Sequence, residues 1–77
     1  MNYKKISNGF FIKCTNEIEE KFREVQGSAV IVEDYPFEFF TYKDDGIFVL
    51  TEALTGRGCG TGKTIKGAIN DFNKTMK

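Results

Sequence analysis

Residues 15–27, Thr-Asn-Glu-Ile-Glu-Glu-Lys-Phe-Arg-Glu-Val-Gln-Gly, decide how the rest of this 77-residue chain is assembled. Thr15-Asn16 is a helix-start signal. Asn16 at the N-cap sets Glu19 at the third helical position, the spacing of a capping box. Glu17, Glu19 and Glu20 suit the positive end of a helix dipole. Ile18, Phe22 and Val25 recur at i, i+4 and i+7, one apolar stripe. Gly27 stands where a C-cap glycine belongs. The stretch is expected to be a helix.

On the N-terminal side, residues 3–14 read as strand material. Phe10, Phe11, Ile12 and Cys14 are its apolar part, and Asn8-Gly9 can bulge it or turn it. On the C-terminal side, residues 29–33 are a β-branched run of strand length. Pro36 breaks that run, making residues 34–36 a turn or an edge bend. Residues 37–43 and 47–53 are two further strands joined at Asp44-Asp45-Gly46. A glycine-rich segment, residues 55–62, leads from the last strand into a final helix capped by Thr64. On that helix Ile65, Ala68, Ile69, Phe72 and Met76 share one face. The expected fold is a single α+β domain: an antiparallel sheet of three to five strands with two helices on one face, in the order β-α-β-β-β-α.

The strands are apolar on both sides. Ile47 and Val49 oppose Phe48 and Leu50; Val30 and Val32 oppose Ala29 and Ile31; Phe37 and Phe39 oppose Phe40 and Tyr42. An antiparallel sheet with one wet face alternates instead. Two short helices cover one face, so the second is expected to be a contact surface, unless the long N-terminal segment covers it. Tyr35, Phe37, Phe39 and Tyr42 would meet a partner protein or a second copy there.

The net charge of zero hides a segregation. Residues 1–16 carry +3. Residues 17–52 carry ten acids against Lys21, Arg23 and Lys43, a net −7. Residues 53–77 carry +4. Charge sorted in this way steers partners, unless the ends fold back and neutralise the middle. Glu33, Asp34, Glu38, Asp44 and Asp45 are the candidate acidic contacts. Histidine is absent, which removes the usual general base and the commonest metal ligand. Cys14 and Cys59 have no framework or zinc-site spacing and read as reduced thiols. No metal, cofactor or catalytic residue is expected. Neither a secretory signal nor a membrane span is visible, so a cytoplasmic location is expected.

Gly60-Thr61-Gly62-Lys63-Thr64 resembles the end of a phosphate-binding P-loop. That loop needs a glycine five residues before the glycine of GK[ST], where this chain has Arg57. The segment reads instead as a strand-to-helix connection. Arg57, Lys63 and Lys66 near the helix start form a candidate anion site.

From Gly46 to Met76 the chain resembles the C-terminal half of double-stranded-RNA-binding domains in Gly62, Lys63, Thr64, Lys66 and Ala68. It departs from them at Ile65 and Ile69. That resemblance implies a helix, three strands and a helix, and nucleic-acid binding through the basic C-terminal segment. Thr55-Gly56, Gly60, Gly62-Lys63-Thr64, Lys66 and Ala68-Ile69 also look like the closing segment of small accessory proteins of phages and mobile elements. Anti-CRISPR and other anti-defence inhibitors belong to that grouping. It implies a non-enzymatic inhibitor or regulator of a host protein, with the acidic middle mimicking nucleic acid in a basic groove.

Overall fold

The computed structural model describes residues 3–33 and 35–76, the last two by backbone alone. Five strands follow one another: β1 (Tyr3–Asn16), β2 (Lys21–Val32), β3 (Phe39–Asp44), β4 (Ile47–Glu52) and β5 (Gly58–Gly62). One helix, α1 (Ile65–Met76), comes after them. The strands form a single antiparallel sheet in the order β1-β2-β3-β4-β5. Among the described residues no helix is long and apolar enough to cross a membrane.

The expected order β-α-β-β-β-α, with two helices on one face, is overturned at residues 15–27. The helix-start chemistry is present but local. Asn16 Oδ1 accepts the N–H groups of Ile18 and Glu19, at 3.0 and 3.2 Å. It caps one turn, Glu17–Glu20, which Glu20 ends in the left-handed region (φ 53°). From Lys21 to Val32 each residue has a partner in β1. An isolated helix of about a dozen residues is marginal in water, whereas this hairpin sets Val25 opposite Phe11 and Phe22 opposite Cys14. The stripe of Ile18, Phe22 and Val25 never assembles: Ile18 is 95% exposed, at the turn. The first helix implied by the double-stranded-RNA-binding likeness is therefore strand.

The other elements follow the sequence more closely. Asp45 (φ 51°) and Gly46 (φ 82°) are the two loop residues between Asp44 and Ile47, which face each other in register. Positive φ at both is the type I′ hairpin turn that an Asp-Gly pair favours. Thr64 caps α1: its Oγ1 accepts the Gly67 N–H at 2.9 Å and its carbonyl accepts the Ala68 N–H. The register shifts in β1 fall between Lys5 and Ser7 and between Cys14 and Asn16, not at Asn8-Gly9.

The glycine-rich segment holds a strand, not merely a connection. Gly60 and Gly62 of β5 pair with Leu50 and Phe48 of β4, on the face where α1 lies. A Cβ at Gly62 would come within 2.5 Å of the Ala68 nitrogen, and one at Gly60 would meet the Ala68 carbonyl oxygen. The helix thus rests on bare strand backbone, and the Thr61 N–H donates to Asp71 Oδ2 at 3.0 Å. Ala68, Ile69 and Phe72 close over Val30, Val32, Phe39 and Leu50 to form the core. Tyr35 and Phe39 flank Phe72, with ring centroids at 5.0 and 5.4 Å. The Met76 side chain lies outside the described residues.

The second sheet face is covered by the sheet itself. β2 pairs with β3 only over Gly27–Val30. Beyond Gly27 the β1–β2 hairpin leaves β3 and curls over it. Gly27 faces Gly9 across the hairpin, and a Cβ at Gly27 would run into the Thr41 carbonyl. Under the curl Phe11 stacks on Phe40, centroids 4.7 Å apart and rings within 8° of parallel. Lys13 Nζ donates to Tyr42 Oη at 3.0 Å. At the far end the Cys14 N–H donates to the Gly56 carbonyl at 2.7 Å, and Arg57 Nε pairs with Glu17 at 2.8 Å. These contacts tie the β1–β2 turn to the β4–β5 loop and half-close a barrel.

Candidate functional site

Curling closes the barrel at Cys14 and leaves it open along the earlier part of β1. A groove of about 490 Å³ runs between Phe37-Glu38, which lead into β3, and Glu52-Ala53-Leu54, which leave β4. The Ala53 N–H donates to the Glu38 carbonyl at 2.9 Å and fixes these two segments side by side. Glu38 and Ala53 also line the next depression, of about 260 Å³, with Ile6, Phe11, Ala29 and Ile31. Ile31 in turn borders a shallow trough with Tyr3, Lys4 and Glu33. Shared residues make the three adjoin, the second and third bordered by β1 and the first by the ends of β3 and β4.

Its walls are apolar and open. Phe37, Ile6 and Ile31 are each about half exposed and Leu54 is 92% exposed. The acids of its first depression are Glu38 and Glu52, while Glu33 and Lys4 border the third. Glu52 Oε1 accepts the Thr55 hydroxyl at 2.9 Å, and among the described residues neither carboxylate has an ion-pair partner. An apolar trough with two unneutralised carboxylates at its lip suits a ligand that is greasy along its length and cationic at one point.

The residues expected from sequence to form a site are dispersed. Glu38 and Phe37 are in the groove and Glu33 is at its far end. Asp44 and Asp45 occupy the β3–β4 turn, roughly 20 Å from Glu38 at the usual rise per strand residue. Asp34 lies outside the described residues. Phe39 and Tyr42 are 2% and 8% exposed, one under α1 and one under the β1–β2 curl, so neither can present its ring to a partner. Tyr35 is half-buried against Phe72.

The basic trio is divided as well. Arg57 is held by Glu17, whereas Lys63 and Lys66 lie at the opposite end of β5, at the start of α1. Register places Gly62 opposite Phe48, so Lys63 emerges at the same end of the sheet as Asp44 and Asp45. Glu19 pairs with Lys21 at 2.8 Å. Charges sorted along the chain are in part mixed by folding.

Both cysteines are free thiols. Burial pushes the Cys59 thiol above its ordinary pKa, and the nearby Glu52 carboxylate adds to the rise. A backbone hydrogen bond from Glu52 and the Arg57 charge oppose it. A thiol held protonated in this way is a poor nucleophile.

Sequence reasoning did not find Glu52, Ala53 and Leu54, nor Ile6, Phe11 and Ile31, as site residues. The one local signal was Leu54, a large aliphatic placed after a strand and before a glycine-rich segment, where nothing in the chain calls for burial. In comparisons with known proteins the chain matches no family model, and neither a curated protein nor a solved structure is significantly similar to it.

Proposed function

We propose that this chain is a non-enzymatic binding protein that docks a partner protein in the acid-lipped apolar groove at the ends of β3 and β4 and regulates or inhibits it by doing so. The observation that carries this reading is the conjunction at one place of Phe37 and Leu54, both open to solvent, with Glu38 and Glu52, both without an ion-pair partner among the described residues. Large exposed apolar side chains on a small domain lower its solubility and are expected where they meet another surface. The carboxylates then select a basic partner and raise its rate of encounter. The likeness to mobile-element accessory proteins makes that partner a host protein. Nucleic acid is the less favoured ligand, because Arg57 is already occupied by Glu17 and Lys63 emerges at the same end of the sheet as Asp44 and Asp45.

The test is affinity capture from a nuclease-treated bacterial lysate, read by mass spectrometry. The wild-type chain is run beside Phe37→Ser/Leu54→Ser, Glu38→Lys/Glu52→Lys and Asp44→Lys/Asp45→Lys. The reading expects one set of proteins retained by the wild type and by the Asp44/Asp45 variant, and lost by the two groove variants. Loss in the Asp44/Asp45 variant alone would move the site to the β3–β4 turn and refute the groove.

A further inference from the structure

The groove has a third component besides its greasy walls and its acids: the open edge of β1. β1 is the outermost strand and is long, running from Tyr3 to Asn16. Its inner edge is paired with β2 over its whole length. On its outer edge the described residues contribute one backbone hydrogen bond, from the Cys14 N–H to the Gly56 carbonyl. In an antiparallel edge strand every second residue turns its N–H and C=O outward, and such a row is a template for another extended chain. β1 residues Tyr3, Ile6 and Phe11 border the groove over the same span.

We infer that the partner enters as an extended segment that pairs with the outer edge of β1 as a sixth strand, with alternate apolar side chains in the groove and a lysine or arginine at Glu38 and Glu52. This rests on the proposed binding function and specifies how the partner is held. The backbone supplies affinity without reading sequence, while the depressions at Phe37/Leu54 and Ile6/Phe11/Ile31 read alternate side chains, the period of a strand. The two carboxylates read the charge. A second copy of this chain fits the same edge less well. Its own β1 would bring Lys4, Lys5 and Lys13 to an edge that already carries them, and lysines on an edge strand oppose self-pairing.

The experiment is selection of a random linear-peptide display library on the full chain, followed by synthesis of the most enriched peptide. Enriched sequences are expected to alternate apolar and polar residues and to carry a lysine or arginine. In ¹⁵N-labelled protein the peptide is expected to shift the amides of residues 3–11, 37–38 and 52–54. Glu38→Lys/Glu52→Lys is expected to weaken it about tenfold or more, as loss of a charge-assisted contact does. The decisive arm leaves the protein untouched. N-methylation scanned along the peptide is expected to cost about tenfold at every second residue and little between, because only alternate N–H groups of an added strand bond to β1.

Peptides that shift residues 37–38 and 52–54 but tolerate N-methylation everywhere would overturn the added strand and leave the groove standing. Failure to enrich any peptide, or enrichment of acidic peptides shifting residues 57–66, would overturn both readings. A β1-mediated dimer in sedimentation, dissociated by Ile6→Lys, would overturn the inference in favour of a second copy.

Discussion

Replacing Gly60 or Gly62 by alanine tests the packing on which the fold depends. Neither glycine has positive φ, so alanine is allowed by the backbone. Taken alone it would stabilise the chain by about 0.4–1 kcal/mol through loss of unfolded-state entropy. The structure opposes this. At Gly62 the new methyl would lie 2.5 Å from the Ala68 nitrogen and 2.6 Å from the Gly67 carbonyl carbon. At Gly60 it would lie 2.9 Å from the Phe72 nitrogen and closer still to the Ala68 oxygen. All of these are backbone atoms of α1 and cannot rotate away, so the helix has to lift off β5. Forcing a methyl into a packed site costs about 1–3 kcal/mol and sometimes more. A net loss of about 2 kcal/mol lowers the melting temperature of a domain this size by about 8–16 °C. Gly58 is the control: its methyl would meet only Val49 Cγ1, at an ordinary 3.5 Å, and Gly58→Ala should melt at or slightly above the wild type. Thermal unfolding followed by circular dichroism, with urea titration for the free energy, reads all three. If Gly60→Ala and Gly62→Ala melt with the wild type or above it, α1 does not lie on β5 as described.

Three other outcomes follow from the same geometry. Gly27→Ala, whose methyl would meet the Thr41 carbonyl, should destabilise the chain by at least about 1–3 kcal/mol, whereas Gly9→Ala, with nothing within 4 Å, should not; equal urea midpoints for the two would refute a curl hinged at Gly27. Asn16→Ala removes the acceptor for two turn N–H groups and should cost about 1 kcal/mol in urea unfolding; no change would mean that the turn holds without its cap. Because burial raises the Cys59 thiol above its ordinary pKa, its stabilisation is complete below the unfolded pKa and is lost as pH climbs through the folded one. Iodoacetamide should therefore label Cys59 more slowly in the folded chain than in urea at the same pH, and stability should fall in the alkaline range less steeply in Cys59→Ala; equal labelling rates would contradict the burial.

Local chemistry made several elements legible before any coordinates. Asp45-Gly46 requires positive φ at two residues, which few dipeptides tolerate, and the turn is where that chemistry puts it. Thr64 and the face of Ile65, Ala68, Ile69 and Phe72 foretold α1, since a capped helix with one greasy stripe is encoded within a dozen residues. The surplus of apolar residues on both sheet faces was visible too. Whether a partner or the N-terminal segment covers the second face was left open, because a strand folding back over its own sheet is a contact between distant residues, Phe11 with Phe40 and Cys14 with Gly56.

The same division runs through residues 15–27 and through the site. Asn16, Glu19 and the spacing of Ile18, Phe22 and Val25 describe one helical turn equally well whether a helix or a hairpin follows. Pairing with β1, up to 29 positions away from Val32 at Tyr3, chose the hairpin, and no local pattern contains that information. Composition and charge order are properties of the chain alone: 77 residues, no histidine, and charge sorted by region. Where the charges end up is a property of register. The five-strand meander separates Asp44 from Glu38, hands Arg57 to Glu17, and draws Glu38, Glu52 and Leu54 together from segments the chain keeps apart.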